Sequence, residues 1–407
     1  MKNQVVKYAV LYLSLMAVFF LFGVISCWLP DQSIKKHVSQ IAPVMHEHGC
    51  YPQAIIMDTA CRQDNFTEAL ILNQIYNVDR KHPIRSSMML MSHVYESGYD
   101  MTNSLLRSTC QESGGWFKLY PRYWHGNSFL FRVLLIFASY PALQWMMFAV
   151  SSLLLVLFLC TYYGRAGIGK TLAFLLSWLL VYGFVSQFSI QFFPVLAIAL
   201  VTSTLVVRHD SDLPYLSVLF FVVACLTCYF DLLTTPLLTF GWPLVVWVSL
   251  QDSATLRDRD HLSRMVGWGL LWVTGYALTF FTKWVLGSAF LEMNVLKDGF
   301  NQVFYRIGAE EFSRWDAVVQ NIKMIPWIFV CIVFVVMMVL SVSHFRAKGW
   351  FKAVLLLVIG VMPYVWYLAL SNHSFIHFWF TYRLQAITLA ALFLSVLSLH
   401  RSDSLKR

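Results

Sequence analysis

The stretch PALQWMMFAVSSLLLVLFLCTYY, residues 141–163, contains no charged side chain and is long enough to cross a bilayer as a helix. The rest of the chain has the same character. Of its 407 residues 58% are hydrophobic and only 13% are charged, and the mean hydropathy is +0.62. So little charge cannot cover so much apolar surface in a soluble domain. We therefore predict an all-α, polytopic integral membrane protein.

Apolar runs of similar length recur along the whole sequence and predict about ten transmembrane helices. The first run is long and no small-residue cleavage site follows it, so we interpret it as a retained anchor. The chain, residues 1–407, is expected to form a single integral membrane domain. The runs lie at about 8–28, 141–163, 168–186, 189–207, 214–230, 232–250, 264–287, 325–343, 351–370 and 378–398.

The short links between these runs predict the orientation. If Lys2 and Lys7 are cytoplasmic, every short link on that side carries Lys or Arg, as the positive-inside rule requires. The short links on the other side, VSQFSIQFFP and CYFDLLTTP, carry neither. We therefore expect a multi-pass protein of the plasma (cytoplasmic) membrane with both termini cytoplasmic. The net charge of +9 fits this bias, so membrane lipids are expected partners and nucleic acid is not.

Three segments then lie on the extracytoplasmic side. Loop one, residues 29–140, is expected to be mostly helical and to carry interfacial helices. A second loop, 288–324, suits amphipathic helices at the interface. The third, 371–383, is short and aromatic. Because polar groups are costly near membrane depth, the polar side chains gathered in these segments predict a working surface on the outer face.

Loop one carries the candidate catalytic carboxylates. Asp64 and Glu68 are four residues apart, so they share a face of a helix. Two nearby carboxylates raise one pKa, which suits a general base near neutral pH. The alternative is structural: Asp64 helps to cap the helix, and NFTE forms a capping box with Thr67 near its start. Asp58 is another candidate for the reactive carboxylate.

The outer segments also carry candidate substrate ligands. Guanidinium groups can pair bidentately with phosphate, although surface snorkelling is the alternative for them. Asp231 could instead cap the following helix. The His373 and His377 spacing could present two imidazoles to a metal, but aromatic anchoring is the simpler interpretation, and we predict no metal site. The candidate substrate-binding residues are Arg122, Tyr123, His125, Gln191, Asp231, Lys297, Arg306, His377 and Arg383.

The segment YPRYWHG, residues 120–126, leads into a short amphipathic helix ahead of the 141–163 run. Tyr and Trp are common at the membrane interface. Interfacial anchoring does not account for His125 before Gly126, since glycine lets the backbone approach a ligand closely. Arg132, within the apolar helix, is expected to reach the interface or to pair with an acid. We interpret this segment as the rim of a site.

These features resemble the GT-C class of membrane glycosyltransferases, particularly bacterial members with about ten spans. The resemblance rests on the long first outer loop with its carboxylate, on YPRYWHG, and on FSIQFFP (188–194) and YFDLLTTPL (229–237). It covers most of the chain as a layout. It implies a GT-C-like fold and transfer of a sugar from a polyprenyl-phosphate carrier to an outward-facing envelope glycan or lipid acceptor.

The resemblance also implies a role for loop one. It assigns the base to a loop-one carboxylate, matched here to Asp64, with Glu68 or Asp58 as substitutes. The cofactor stays undefined, with a divalent cation as one candidate.

Two alternatives stay open. The Trp-His-Gly triplet at 124–126 is similar to that of membrane-bound O-acyltransferases, in which His125 would be the base, although the companion WRRWH segment is absent. A non-catalytic lipid-linked sugar transporter or assembly protein would have a similar layout. Transporters usually carry ionisable groups at mid-membrane and paired repeats, which this sequence lacks.

Overall fold

The computed structural model describes residues 2–54, 59–95, 100–308, 312–342 and 349–399. Helices account for 78% of the residues and strands for 3%, which confirms a predominantly helical protein. Asp58, one of the candidate carboxylates, lies outside the described residues.

Loop one contains both helices and a small sheet. The strands Leu90–Val94 and Trp116–Tyr120 pair antiparallel with Leu90 opposite Tyr120, a pairing that the sequence pattern did not predict. The first helix and the elements of loop one are α1 (Lys2–Trp28), α2 (Gln32–His48), α3 (Asn65–Tyr76), α4 (Pro83–Met88), β1 (Leu90–Val94), α5 (Met101–Thr109), β2 (Trp116–Tyr120) and α6 (Gly126–Leu134).

The remainder of the described chain is helical. It comprises α7 (Tyr140–Ala166), α8 (Ile168–Leu180), α9 (Gly183–Ser186), α10 (Phe193–Arg208), α11 (Leu213–Phe230), α12 (Leu238–Leu250), α13 (Ser253–Arg257), α14 (Arg259–Phe290), α15 (Val295–Ile307), α16 (Arg314–Lys323), α17 (Trp327–Val342), α18 (Trp350–Gly360), α19 (Met362–Ala369), α20 (Ser371–Ile376), α21 (Phe378–Thr381) and α22 (Gln385–Ser398).

Within the described ranges, six helical segments are long and apolar enough to cross a membrane. A seventh would be the pair α16 and α17, which is bent by 72°. The apolar helices α8, α10 and α12 are shorter than a full span. The structure therefore supports a membrane protein with about six candidate spans, and it does not confirm the predicted count of about ten. The six are Val5–Trp28, Tyr140–Ala166, Leu213–Phe230, Arg259–Phe290, Trp350–Ala369 and Phe378–Ser398.

Loop one and every second link between helices lie at the same end of the helix assembly, which we call the loop-one end. In α3, Glu68 accepts a hydrogen bond of 3.0 Å from the backbone N–H of Ile190, between α9 and α10. In α20, His373 donates to the carbonyl of Leu233, between α11 and α12, at 2.8 Å. These contacts bring segments far apart in sequence to one place.

The remaining links meet at what we call the basic end. Arg165 at the end of α7 forms an ion pair of 2.8 Å with Asp210, between α10 and α11. Lys170 of α8 and Lys352 of α18 both donate to the carbonyl of Ser249 in α12, at 3.1 and 3.0 Å. The links thus alternate between the two ends along the chain.

Three apolar clusters hold the helices together. The largest lies among α7, α8, α10, α11, α12, α14, α18 and α22. A second joins α2, α3 and α5 of loop one to α6 and α7. The third packs α1 against α6 and α11. Loop one is therefore anchored to the apolar helices by buried surface, which positions its polar residues against the 187–192 link.

Candidate functional site

Asp64 is the N-cap of α3 and a meeting point of three segments. Its Oδ1 accepts from the backbone N–H of Thr67 at 2.9 Å, and its Oδ2 accepts from the Thr67 hydroxyl at 2.9 Å. Oδ2 also accepts from the Gln191 amide at 3.1 Å and the Trp379 indole at 3.4 Å. The residue is 7% exposed, and burial raises the pKa of its carboxyl.

Glu68 does not complete a capping box, because its carboxylate turns toward α7 and the 187–192 link. It accepts hydrogen bonds from the hydroxyls of Tyr140 and Ser189, at 2.8 and 2.7 Å, and from the backbone N–H groups of Ile190 and Gln191, at 3.0 and 3.3 Å. Burial raises the pKa of Glu68 to about 7. Four donors therefore hold Glu68 in place and tie α3 to two other parts of the chain.

Asp64 and Glu68 face a common small cavity of about 20 Å³. We call it the carboxylate cavity and define it by Asp64, Glu68, Gln191, Trp379 and Arg383. It is lined mainly by polar side chains, and hydroxyl and amide groups of this kind can both donate to and accept from a polyhydroxylated ligand.

A second cavity shares Gln191 and Phe380 with the first, because both residues line each of them. Its volume is about 180 Å³. We call it the arginine cavity. Six of the predicted substrate-binding residues line it: Arg122, Tyr123, His125, Gln191, Arg306 and His377.

The guanidinium of Arg306 is held in a fixed orientation. It donates to Nδ1 of His373 at 3.0 Å and to the Tyr123 hydroxyl. His373 uses its other nitrogen to donate to the carbonyl of Leu233, so its Nδ1 must be the acceptor. Burial lowers the pKa of His373 well below its usual range, which keeps the ring neutral beside Arg306. Leu233 has φ +69°, a strained conformation that this hydrogen bond helps to hold.

His125 lies in the left-handed region with φ +60° and lines the arginine cavity. Its Nε2 donates to the carbonyl of Tyr120 at 2.7 Å, and its buried Nδ1 has no hydrogen-bond partner. Burial lowers the pKa of His125 to about 3. Gly126 is required here for space, because a Cβ at this position would overlap the ring of Tyr229.

The arginine cavity adjoins an apolar groove. Arg122, Tyr123 and Arg306 line both of them. The rest of the groove is formed largely by apolar side chains, among them Phe280 and Phe300, and its volume is about 410 Å³. We call it the apolar groove. The three shared residues therefore stand at a boundary between polar and apolar surroundings.

The structure keeps some predicted residues away from these cavities. Lys297 is exposed on α15 and lines none of them. Asp231 is buried and does not cap α12, which begins at Leu238. Its Oδ1 accepts from the backbone N–H of Thr234 at 2.9 Å, its Oδ2 has no partner, and burial raises its pKa to about 7. It lines none of the three cavities either.

Several contributors were absent from the sequence-based set of site residues. Tyr140 and Ser189 hold Glu68 from 72 and 121 positions away, and His373 orients Arg306 from 67 positions away. No local spacing connects such residues, so no sequence pattern could have paired them. In the part of the chain that the structure describes, no group of three or more His, Cys, Asp or Glu side chains is placed to hold a metal ion.

Comparisons with known proteins return no relative: no protein-family model, no curated protein and no solved structure matches the chain.

Proposed function

We propose that the protein is a membrane glycosyltransferase of GT-C-like architecture. It transfers a sugar from a polyprenyl-phosphate carrier to an outward-facing envelope glycan or lipid acceptor. The observation that carries this proposal is the position of Arg122, Tyr123 and Arg306, which line the arginine cavity and the apolar groove together. A lipid phosphate needs such a boundary, since its phosphate requires a cation and its chain requires apolar contact.

Arg122 and Arg306 differ in whether a carboxylate already neutralises their charge. Arg122 forms an ion pair of 3.0 Å with Asp298. Among the described residues, Arg306 forms no ion pair with a carboxylate, and its two partners, His373 and Tyr123, are neutral. Its charge is therefore free to meet a phosphate, and guanidinium binds phosphate in bidentate geometry. In this role Arg306 is the principal phosphate ligand.

Asp64 is the proposed base. Its carboxylate takes the proton of the acceptor hydroxyl as that oxygen attacks the anomeric carbon of the donor sugar. The bond from the anomeric carbon to the phosphate oxygen breaks, and polyprenyl phosphate leaves with the electron pair. Burial supports this role because it raises the pKa of Asp64 and so makes the carboxylate a stronger base. Arg306 would meet the negative charge on the departing phosphate.

Glu68 is better suited to positioning than to proton transfer. All four of its hydrogen bonds come from donors that fix α3 against α7 and the 187–192 link. Gln191 lies in that link and donates to Asp64. Glu68 thus orients the amide that contacts the proposed base.

Neither alternative function is favoured by a specific observation. Acyl transfer needs His125 as base, but a group with a pKa of about 3 accepts a proton from a hydroxyl poorly. A transporter is expected to expose ionisable groups to a central pathway. The cavities described above instead gather their ionisable groups at the loop-one end.

The phosphate role of Arg306 is tested with farnesyl phosphate and its uncharged counterpart farnesol. We expect the wild-type protein in lipid nanodiscs to bind the phosphate at least tenfold more tightly. Arg306→Gln should remove most of this preference, a loss of about 1.4 kcal/mol or more for a tenfold change. Calorimetric titration measures both affinities.

The matched control is Arg314→Gln. Arg314 is an exposed arginine that donates to the carbonyl of Leu368 and lines neither the arginine cavity nor the apolar groove. This variant should keep the wild-type preference. Equal affinity of the wild type and Arg306→Gln for farnesyl phosphate would contradict the proposal.

A further inference from the structure

Arg383 is a buried cation whose charge has no counterpart. It precedes α22 and is 3% exposed. One terminal nitrogen, Nη1, donates to the carbonyl of Trp379 at 3.2 Å. Its Nε and Nη2 are buried without a hydrogen-bond partner, and within the described ranges no carboxylate forms an ion pair with it. Burial of an uncompensated charge is unfavourable, so a structure retains one chiefly where a ligand completes it.

The free nitrogens form the fork that arginine uses to bind anions. Nε–H and Nη2–H lie parallel along one edge of the planar guanidinium, and their spacing matches the two oxygens of a carboxylate or phosphate. The Cζ atom of Arg383 lies over the rings of Phe192 and Tyr382, at 5.2 and 5.0 Å from their centroids. These cation–π contacts stabilise the charge without using the hydrogen-bond donors Nε–H and Nη2–H.

The structure separates Arg383 from the proposed donor phosphate. Arg383 lines the carboxylate cavity together with Asp64, whereas Arg306 lines the arginine cavity. The two cavities meet at Gln191 and Phe380. An anion bound by Arg383 would therefore lie on the side of the base, where the acceptor hydroxyl must be placed.

We propose that Arg383 binds an anionic group of the acceptor, a carboxylate or a phosphate carried close to the hydroxyl that is glycosylated. This inference rests on the proposed function and adds the chemical class of the acceptor. The remaining lining includes Trp379 and the amide side chains of Gln63, Asn65 and Gln144, and amides can hydrogen-bond the hydroxyls of a sugar. The acceptor is thus an acidic or phosphorylated sugar unit.

The test compares three soluble probes of similar size on the full-length protein in nanodiscs. Methyl β-D-glucuronide carries a carboxylate, glucose 6-phosphate carries a phosphate, and methyl β-D-glucoside is neutral. We expect at least one anionic probe to bind at least tenfold more tightly than the glucoside, and the better probe identifies the anion. Arg383→Gln should abolish this difference, and Arg383→Lys should retain part of it because the charge stays while the fork is lost.

Farnesyl phosphate binding provides the second arm of the experiment. Arg383→Gln should keep the wild-type affinity for farnesyl phosphate, whereas Arg306→Gln should lose it and keep the preference for the anionic sugar. A folded Arg383 variant is expected, since Arg383→Met removes a buried unpaired charge and should unfold at the same temperature as the wild type or higher. If Arg383→Gln does not fold, Arg383→Met serves in both arms.

The outcomes separate the two proposals. Loss of farnesyl phosphate binding in Arg383→Gln would assign Arg383 to the donor and overturn this inference, while the proposed function stands. An unchanged anion preference in that variant, or no preference in the wild type, would overturn it as well. Failure of the wild type to bind farnesyl phosphate would overturn the proposed function itself.

Discussion

At the scale of single residues, the carboxylate of Asp64 is notable for what surrounds it. It accepts hydrogen bonds from Thr67, Gln191 and Trp379, yet none of the described cations forms an ion pair with it. Burial raises the pKa of this carboxyl, although each hydrogen bond that it accepts acts in the opposite direction. The residue is thus both a structural cap and a carboxylate of raised basicity.

Asp64→Asn is expected to lower sugar transfer on the order of 10²–10⁴-fold, the usual contribution of a positioned base. Asparagine is as good an N-cap as aspartate, so α3 should persist and the protein should reach the membrane in normal amounts. Transfer is measured in membranes supplied with polyprenyl-phosphate sugars, and protein level is measured by immunoblot.

Asp100→Asn is the matched control for that prediction. Asp100 caps α5 through bonds of 2.9 and 3.0 Å to the backbone N–H groups of Thr102 and Asn103, and it lines none of the three cavities. It should leave transfer unchanged. Full activity in Asp64→Asn would remove Asp64 from the mechanism.

At the scale of elements, Arg132 joins the ends of two helices. It was expected to reach the interface or to pair with an acid. It is buried, and among the described residues it forms no ion pair with a carboxylate. Its guanidinium donates to the carbonyls of Ser26 and Leu29 at the end of α1, at 2.9 and 3.3 Å, and of Ile75 at the end of α3, at 2.9 Å. Carbonyls at helix C-termini lack intrahelical partners and carry partial negative charge, so a buried arginine satisfies them.

Arg132→Met should destabilise the protein by about 1–3 kcal/mol for each buried carbonyl that it leaves without a donor. The effect is measured as a lower unfolding temperature in detergent. Arg107→Met is the control, because Arg107 pairs with Glu112 at the surface, where such ion pairs contribute little. An unfolding temperature equal to that of the wild type would show that the α1 and α3 ends do not depend on Arg132.

At the scale of the whole molecule, contacts at the loop-one end constrain the number of crossings. Arg122 in loop one touches Asp298 in α15, so an even number of spans must separate them if both lie on one side. Between them only α7, α11 and α14 have full length, which is an odd number. The short helices α8, α10 and α12 would make the number six. The ten-span arrangement therefore stays a prediction, and it is compatible with the contact between Arg122 and Asp298.

Single-cysteine variants in a cysteine-free background test this arrangement in intact cells. Glu112→Cys and Lys297→Cys should react with an impermeant thiol reagent, and Asp258→Cys should react only after the membrane is opened. If only the long helices crossed, Asp258 would be labelled from outside and Lys297 would not. That pattern would contradict both the ten-span arrangement and a site shared by loop one and α15.

The sequence predicts the apolar helices better than it predicts the site. The ten apolar runs each coincide with helical segments of the structure. A run that is apolar along its whole length can be recognised from its own residues, without knowledge of its neighbours in the fold. The lengths of the helices were less predictable. In the run at 232–250, α12 begins only at Leu238, because the segment after Asp231 forms a strained turn that is held by His373. The two-stranded sheet of loop one had no alternating pattern strong enough to predict it.

The sequence alone determined the class of the protein, a helical chain with segments apolar enough to span a membrane, and the set of polar residues in the segments between its apolar runs. This follows because hydrophobicity and charge are properties of each residue and need no neighbours. Only the tertiary structure decided that Arg306 and Arg383 belong to different cavities and that Glu68 holds a distant link. Such groupings depend on contacts between residues that are far apart in the chain, and no local pattern specifies them.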